Sequence, residues 1–127
     1  HELPHIPTLE GRAAAGTNYV CRNPSTMLGM TLDSIWYLEL QPQGPNHTKV
    51  VHGALFPAET VALDDFEDKV QFYYKRWDTT LGEDNDISAR QQRGLCSPFA
   101  HPGRLSHLEP LVPKLAQWWL NRILPEG

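Results

Sequence analysis

Apolar positions change their spacing near the middle of the chain, and the change separates two kinds of predicted element. Up to residue 56 the spacing is that of strands. TNYVC (17–21) reads as a first strand, NPST interrupts it, and MLGMTL (27–32) reads as a second. After the short turn DS (33–34) comes IWYLELQ (35–41), where Trp36, Leu38 and Leu40 alternate with Tyr37, Glu39 and Gln41. A two-residue alternation is the period of a half-buried strand. PQGPNH (42–47) is expected as a loop from its Pro, Gly and Asn, and TKVVHGALF (48–56) as the returning strand. Four closely spaced strands with short connections predict an antiparallel meander. Residues 1–16, punctuated by Pro4, Pro7, Gly11 and Gly16, read as a loop.

The second half changes period. Phe66, Val70, Tyr73, Tyr74, Trp77 and Leu81 recur at helical spacing and predict an amphipathic helix. Asp64 and Asp65 stand at its start, where the helix dipole favours acids. PFAHPGRLS (98–106) reads as a loop, and EPLVPKLAQWWLNRIL (109–124) as a closing helix with Leu111, Leu115, Trp118 and Trp119 on one side. Pro110 and Pro113 leave its start open. Strands followed by helices give an α+β class, with a long helix laid on an antiparallel sheet.

Composition narrows the function classes. The chain has 127 residues, enough for one domain with a core, and is 40% hydrophobic and 20% charged. Its net charge is 11 − 15 = −4, and no basic cluster exceeds two residues. That excludes a nucleic-acid footprint. No apolar run approaches a membrane span, and no signal-peptide pattern opens the chain. Cys21 and Cys96 make neither a C-x-x-C nor a zinc spacing, and read as reduced thiols in a cytoplasmic protein, although a single disulfide stays open. The chain starts at His1 in the Pro-rich stretch HELPHIPTLEG. A processed self-contained domain or a fragment of a longer protein could begin so.

LGEDNDISARQQRGL (81–95) is the most polar stretch of the helical half. If the helix from Phe66 continues through Gly82, each acid can be placed at 100° per residue. Relative to Trp77, Phe66 and Val70 lie within about 20°, Asp84 at about −20°, Glu83 about 120° away and Asp86 opposite. Asp84 is therefore the acid on the face that the preceding turns bury. A buried carboxylate needs an arginine, amide donors or a metal as partner. If the helix breaks at Gly82, Asp84 or Glu83 becomes a first-turn acid held by the dipole. For the acid taken alone, that structural explanation is the stronger of the two. SARQQRG then reads as a solvated helix end with a Gly stop. His47 and His52 are rejected as a ligand pair, because one lies in a turn and the other in a strand. No G-x-S-x-G, Gly-rich phosphate loop or H-E-x-x-H occurs.

Three stretches together resemble one family. EDNDISARQQRGLCS (83–97) is similar to a segment of Rieske non-haem iron oxygenase alpha subunits, the aromatic-ring-hydroxylating dioxygenase family, that ends in Q-Q-R-G-L-x-S. PGRLSHLEP (102–110) is similar to that family's P-G-R-x-S-x-x-E loop. GRAAAGTNYVCRNPSTML (11–28) is similar to the stretch leading to its P-N/S-x-M-L motif. The likeness covers nearly the whole chain in the right order. It implies a helix-grip fold (Bet v 1/START-like), an antiparallel sheet packed on a long helix. It implies that the acid ten residues before the Gly of Q-R-G, here Asp84, is the carboxylate ligand of a mononuclear Fe(II). A facial set of two histidines and one carboxylate suits non-haem iron that must also meet O2. The resemblance further implies a 2Fe-2S Rieske cluster, an NAD(P)H-dependent reductase as electron source, O2 and a small organic molecule as substrates, and a homotrimeric parent.

The departures matter as much. The family's Y-H-x-x-x-x-H segment with both ligand histidines is not present. Neither are the C-x-H and C-x-x-H pairs of the Rieske cluster. Ala89 stands where a second acid is often found. Residues 1–127 are thus expected to be the C-terminal portion of an oxygenase catalytic domain, inactive alone, in a parent that is a mono- or dioxygenase. Thr80, Ile87, Ser88 and Gln91, one or two turns from Asp84 on its face, are the candidate pocket residues. For each singly, a plain core or surface role is the better bet. The alternative from another class is a non-catalytic helix-grip carrier of hydrophobic ligands, with Asp84 merely capping a helix.

Overall fold

The structure is a computed structural model that describes residues 3–124. It divides into two compact units, one made of Pro4–Ala62 and the chain from His107, the other of Leu3 with Leu63–Ser106. The class is α+β, a four-stranded antiparallel sheet and a long helix, consistent with a helix-grip domain.

The sheet unit is a meander. β1 (Asn18–Arg22), β2 (Thr26–Met30), β3 (Ile35–Gly44) and β4 (His47–Leu55) follow in spatial order, each antiparallel to the next. The row Tyr19, Gly29, Trp36, Ala54 lies on one face, and the row Val20, Leu28, Tyr37, Gly53 on the other. In each row an aromatic ring covers a glycine: a Cβ added at Gly29 would enter the Trp36 ring, and one at Gly53 would meet Tyr37. The glycines make room for rings that cover the backbone a bare strand position would expose. Tyr19 closes the first row edge-on against Trp36, with ring centroids 5.9 Å apart.

Several elements depart locally from those expected. Residues 42–44, expected in a loop, belong to β3, and only Pro45 and Asn46 form the turn. The ladder tolerates Pro42 because it shifts register between Pro42 and Gly44, where a missing N–H costs little. Conversely β2 stops at Met30. Thr31 turns its hydroxyl to Asp33 Oδ1 (2.8 Å) and the Ser34 carbonyl (2.8 Å), and the same hydroxyl accepts from the Ser34 N–H (3.2 Å), so a side chain takes the place of a ladder acceptor. The N-terminal stretch is not all loop: Gly11–Ala15 form a 3-10 turn. It is tied down by Ile6 N–H donating to the Leu32 carbonyl at 2.7 Å. The short helix α1 (Ala58–Val61) was not foreseen either.

The second unit is built on α2 (Phe66–Leu95), 30 residues long. Glu67 and Asp68 occupy its first turn and Arg93 its last, both favourable to the dipole. Lys69 pairs with Asp65 at 2.8 Å, and this hydrogen bond holds the exposed Asp65 carboxyl below its ordinary range. A depressed carboxyl contributes stability above its unfolded value and loses it as pH falls through the folded one. The stripe anticipated from spacing is present. Phe66 and Val70 are buried, and Tyr73, Trp77 and Leu81 are half-buried, while Tyr74 at its margin is exposed. The Leu3 N–H donates to the Tyr73 hydroxyl at 3.2 Å, and Leu3 is itself buried. Gly82 does not end the helix.

In the sheet unit α3 (Leu111–Ile123) closes the described chain. Pro110 precedes it and Pro113 sits in its first turn, where backbone N–H groups have no intrahelical partner. The Arg122 guanidinium lies 3.6 Å over the Trp118 ring.

Two substitutions test this description. Gly29→Val should displace Trp36 and destabilise the chain by roughly 1–3 kcal/mol, read as a lower urea midpoint. An unchanged midpoint would contradict the ring placement. Gly82→Ala meets no atom within 4 Å of the new Cβ. In a continuous helix it should stabilise by about 1 kcal/mol, and a neutral or harmful effect would speak for a break at that position.

Candidate metal and substrate site

Because α2 runs unbroken across Gly82, the helical register assumed for the acids holds. Asp84 shares the stripe with Trp77, Thr80 and Leu81, and Asp86 points from the opposite side of the helix. The burial expected for Asp84 does not follow. The half-buried stripe ends at Leu81, and Asp84 is exposed, as are all later residues of α2. A hydrated carboxylate needs no partner, so in this chain Asp84 carries none of the cost that burial would impose. Ile87, three residues on, is left 63% exposed.

The candidate pocket residues are dispersed. Ile87, Ser88 and Gln91 follow Asp84 along the exposed end of α2. Thr80 is half-buried and donates its hydroxyl to the Arg76 carbonyl at 2.9 Å. It also lines a groove of about 360 Å³ along α2 with Phe72, Lys75, Arg76 and Thr79, which none of the other candidates joins.

The described residues do not by themselves hold a metal: no three His, Cys, Asp or Glu side chains among them converge. His47 is exposed at the start of β4 and His52 is half-buried within it. Five residues apart on a strand, they project to opposite faces, so they cannot share an ion. A lone carboxylate oxygen on a rigid helix fits one position of a non-haem iron site and leaves the rest to other donors. Among the described residues no helix is long and apolar enough to cross a membrane.

A cavity of about 510 Å³ lies in the sheet unit, between the N-terminal segment and the ends of β1, β2 and β3. Its walls come from residues up to about thirty positions apart, and no local spacing announces it.

Neither a curated protein nor a solved structure matches the chain significantly. The family model for the ring hydroxylating alpha subunit catalytic domain matches residues 1–124. With that match over almost all of its length, on a sheet-and-long-helix α+β framework, the chain belongs to the family of ring hydroxylating alpha subunit catalytic domains.

Proposed function

We propose that the chain is the C-terminal portion of the catalytic domain of a Rieske-type oxygenase. The parent would add oxygen from O2 to an aromatic or other small organic substrate, with electrons from an NAD(P)H-dependent reductase. It would work as a homotrimer, by mono- or dioxygenation. In this reading Asp84 is the carboxylate ligand of the mononuclear Fe(II), with two histidines from outside this chain, and a separate domain carries the 2Fe-2S Rieske cluster. The observation that carries the reading is the family match over residues 1–124, combined with an unbroken α2 that keeps Asp84 in register with Trp77. The same match favours the oxygenase over a hydrophobic carrier.

Other features support it. Ile87 and Leu95 leave apolar surface uncovered at the end of α2 that bears Asp84, each 63% exposed. Further protein covering that end would also remove water from the carboxylate. Cys21 and Cys96 are free thiols, which fits a reducing compartment such as the cytoplasm. When bound, Fe(II) supplies the site at which O2 is activated. The chain's own part is narrower. α2 holds the Asp84 carboxylate at a fixed height and angle, and Thr80, Ile87, Ser88 and Gln91 would border the substrate one or two turns away.

In the intact parent enzyme, Asp84→Ala should abolish mononuclear iron while the Rieske cluster's absorption spectrum stays intact. Turnover should fall by more than the roughly 10–100-fold that loss of an outer-shell partner costs. Asp86→Ala, on the opposite face, should change neither. Iron lost with Glu83→Ala but kept with Asp84→Ala would mean that the register is wrong. Iron kept in all three variants would refute the ligand assignment.

A second test addresses the pocket. Thr80→Trp should shift the ratio of turnover between a bulky and a compact substrate. The product ratio in a competition assay measures it, and an unchanged ratio removes Thr80 from the pocket.

A further inference from the structure

The cavity of about 510 Å³ in the sheet unit falls in the size range of small-molecule sites. One wall is the end of the sheet. Asn18, Met30 and Ile35 stand side by side in register, with Val20 two residues along on the same face. The other wall is the N-terminal segment, through Ile6, Leu9 and the 3-10 turn that carries Arg12 and Ala13. The two walls are fastened to each other before any ligand arrives. Ile6 N–H donates to the Leu32 carbonyl at 2.7 Å. The Asn18 amide donates to the backbone carbonyls of Gly16 (3.2 Å) and Arg12 (3.4 Å).

The polar groups of the lining decide what could bind. Both donors of the Asn18 amide nitrogen are directed at those carbonyls. The Thr31 hydroxyl is engaged by Asp33 and Ser34. Arg12 is exposed, has no ion-pair partner among the described residues, and is the cation of the lining, which contains no Asp or Glu. Glu10 lies outside the lining, and the Asp33 carboxylate already accepts from Thr31 and Ser34. The walls therefore offer apolar contact for a ligand's body, and in Arg12 a cationic side chain for its charge. Guanidinium and carboxylate match as a two-pronged pair.

We propose that this cavity binds a compact apolar carboxylate, its hydrocarbon body between Ile6, Leu9, Val20, Met30 and Ile35 and its carboxylate on the Arg12 guanidinium. The site rests on the sheet unit alone. It goes beyond the oxygenase reading and holds whether or not Asp84 is an iron ligand.

The test uses the full chain, with 2-naphthoate as probe and the neutral 2-naphthamide as control. Binding is followed by isothermal titration calorimetry and by amide chemical-shift mapping. The carboxylate should bind saturably, about tenfold or more tighter than the amide, the size expected of a charge-assisted contact. The shifts should centre on Asn18, Tyr19 and Thr31. Arg12→Gln should erase the preference, and Arg12→Lys should keep part of it. Ala13→Trp, which fills the cavity, should weaken both probes. Asp84→Ala should leave naphthoate binding unchanged, which separates failure of this site from failure of the iron assignment. Equal affinity for the two probes, a preference that survives Arg12→Gln, shifts centred elsewhere, or no saturable binding would each overturn the proposal.

Discussion

The backbone hydrogen-bond ladder of α2, carried through Gly82, is the constraint on which the placement of every candidate ligand depends. A glycine in a helix interior costs about 1 kcal/mol relative to alanine. Here that cost is met within a 30-residue helix. Once nucleated, a helix gains a bond for each residue it fixes, so one weak position between long helical arms is bridged. The consequence is geometric. Residues seven apart stay on one side, so Asp84 remains aligned with Trp77 while Asp86 is turned away. Had the ladder ended at Gly82, the alignment of Asp84 with Trp77 would have been lost.

The sheet unit depends on a different device. Two cross-strand pairs set a ring over a glycine, Trp36 on Gly29 and Tyr37 on Gly53, one on each face. They fill the centre of a small sheet that has few fully buried aliphatic side chains. The N-terminal segment is then pinned across one end of that sheet, which encloses the cavity beside Arg12. The two units thus carry different side chains for a site: an acid on a long helix in one, and an apolar cavity with Arg12 in its lining in the other.

Periodic features were legible in the sequence. The alternation around Trp36 located β3, and the stripe from Phe66 to Leu81 located α2, because both follow from side-chain direction alone. Illegible features turn on single hydrogen bonds or on distant partners. Pro42 looked like a loop residue because the register shift that accommodates it is a property of two strands. Thr31 looked like a strand residue because its hydroxyl's choice of Asp33 and Ser34 cannot be seen in a pattern of polarity. Rotation alone put Asp84 in line with Trp77. It could not tell that burial stops at Leu81, since exposure depends on what lies over the helix. The motif likeness supplied what geometry lacked, a chemical reason for that acid.

The continuity of α2 is most directly measured by backbone NMR, through Cα secondary shifts and amide exchange from Phe66 to Leu95. Helical shifts that run without interruption through Gly82 and Asp84 are the expected result, with exchange protection graded toward the exposed C-terminal end. Helical shifts that stop at Gly82, with GEDND at random-coil values, would contradict the register and with it the selection of Asp84.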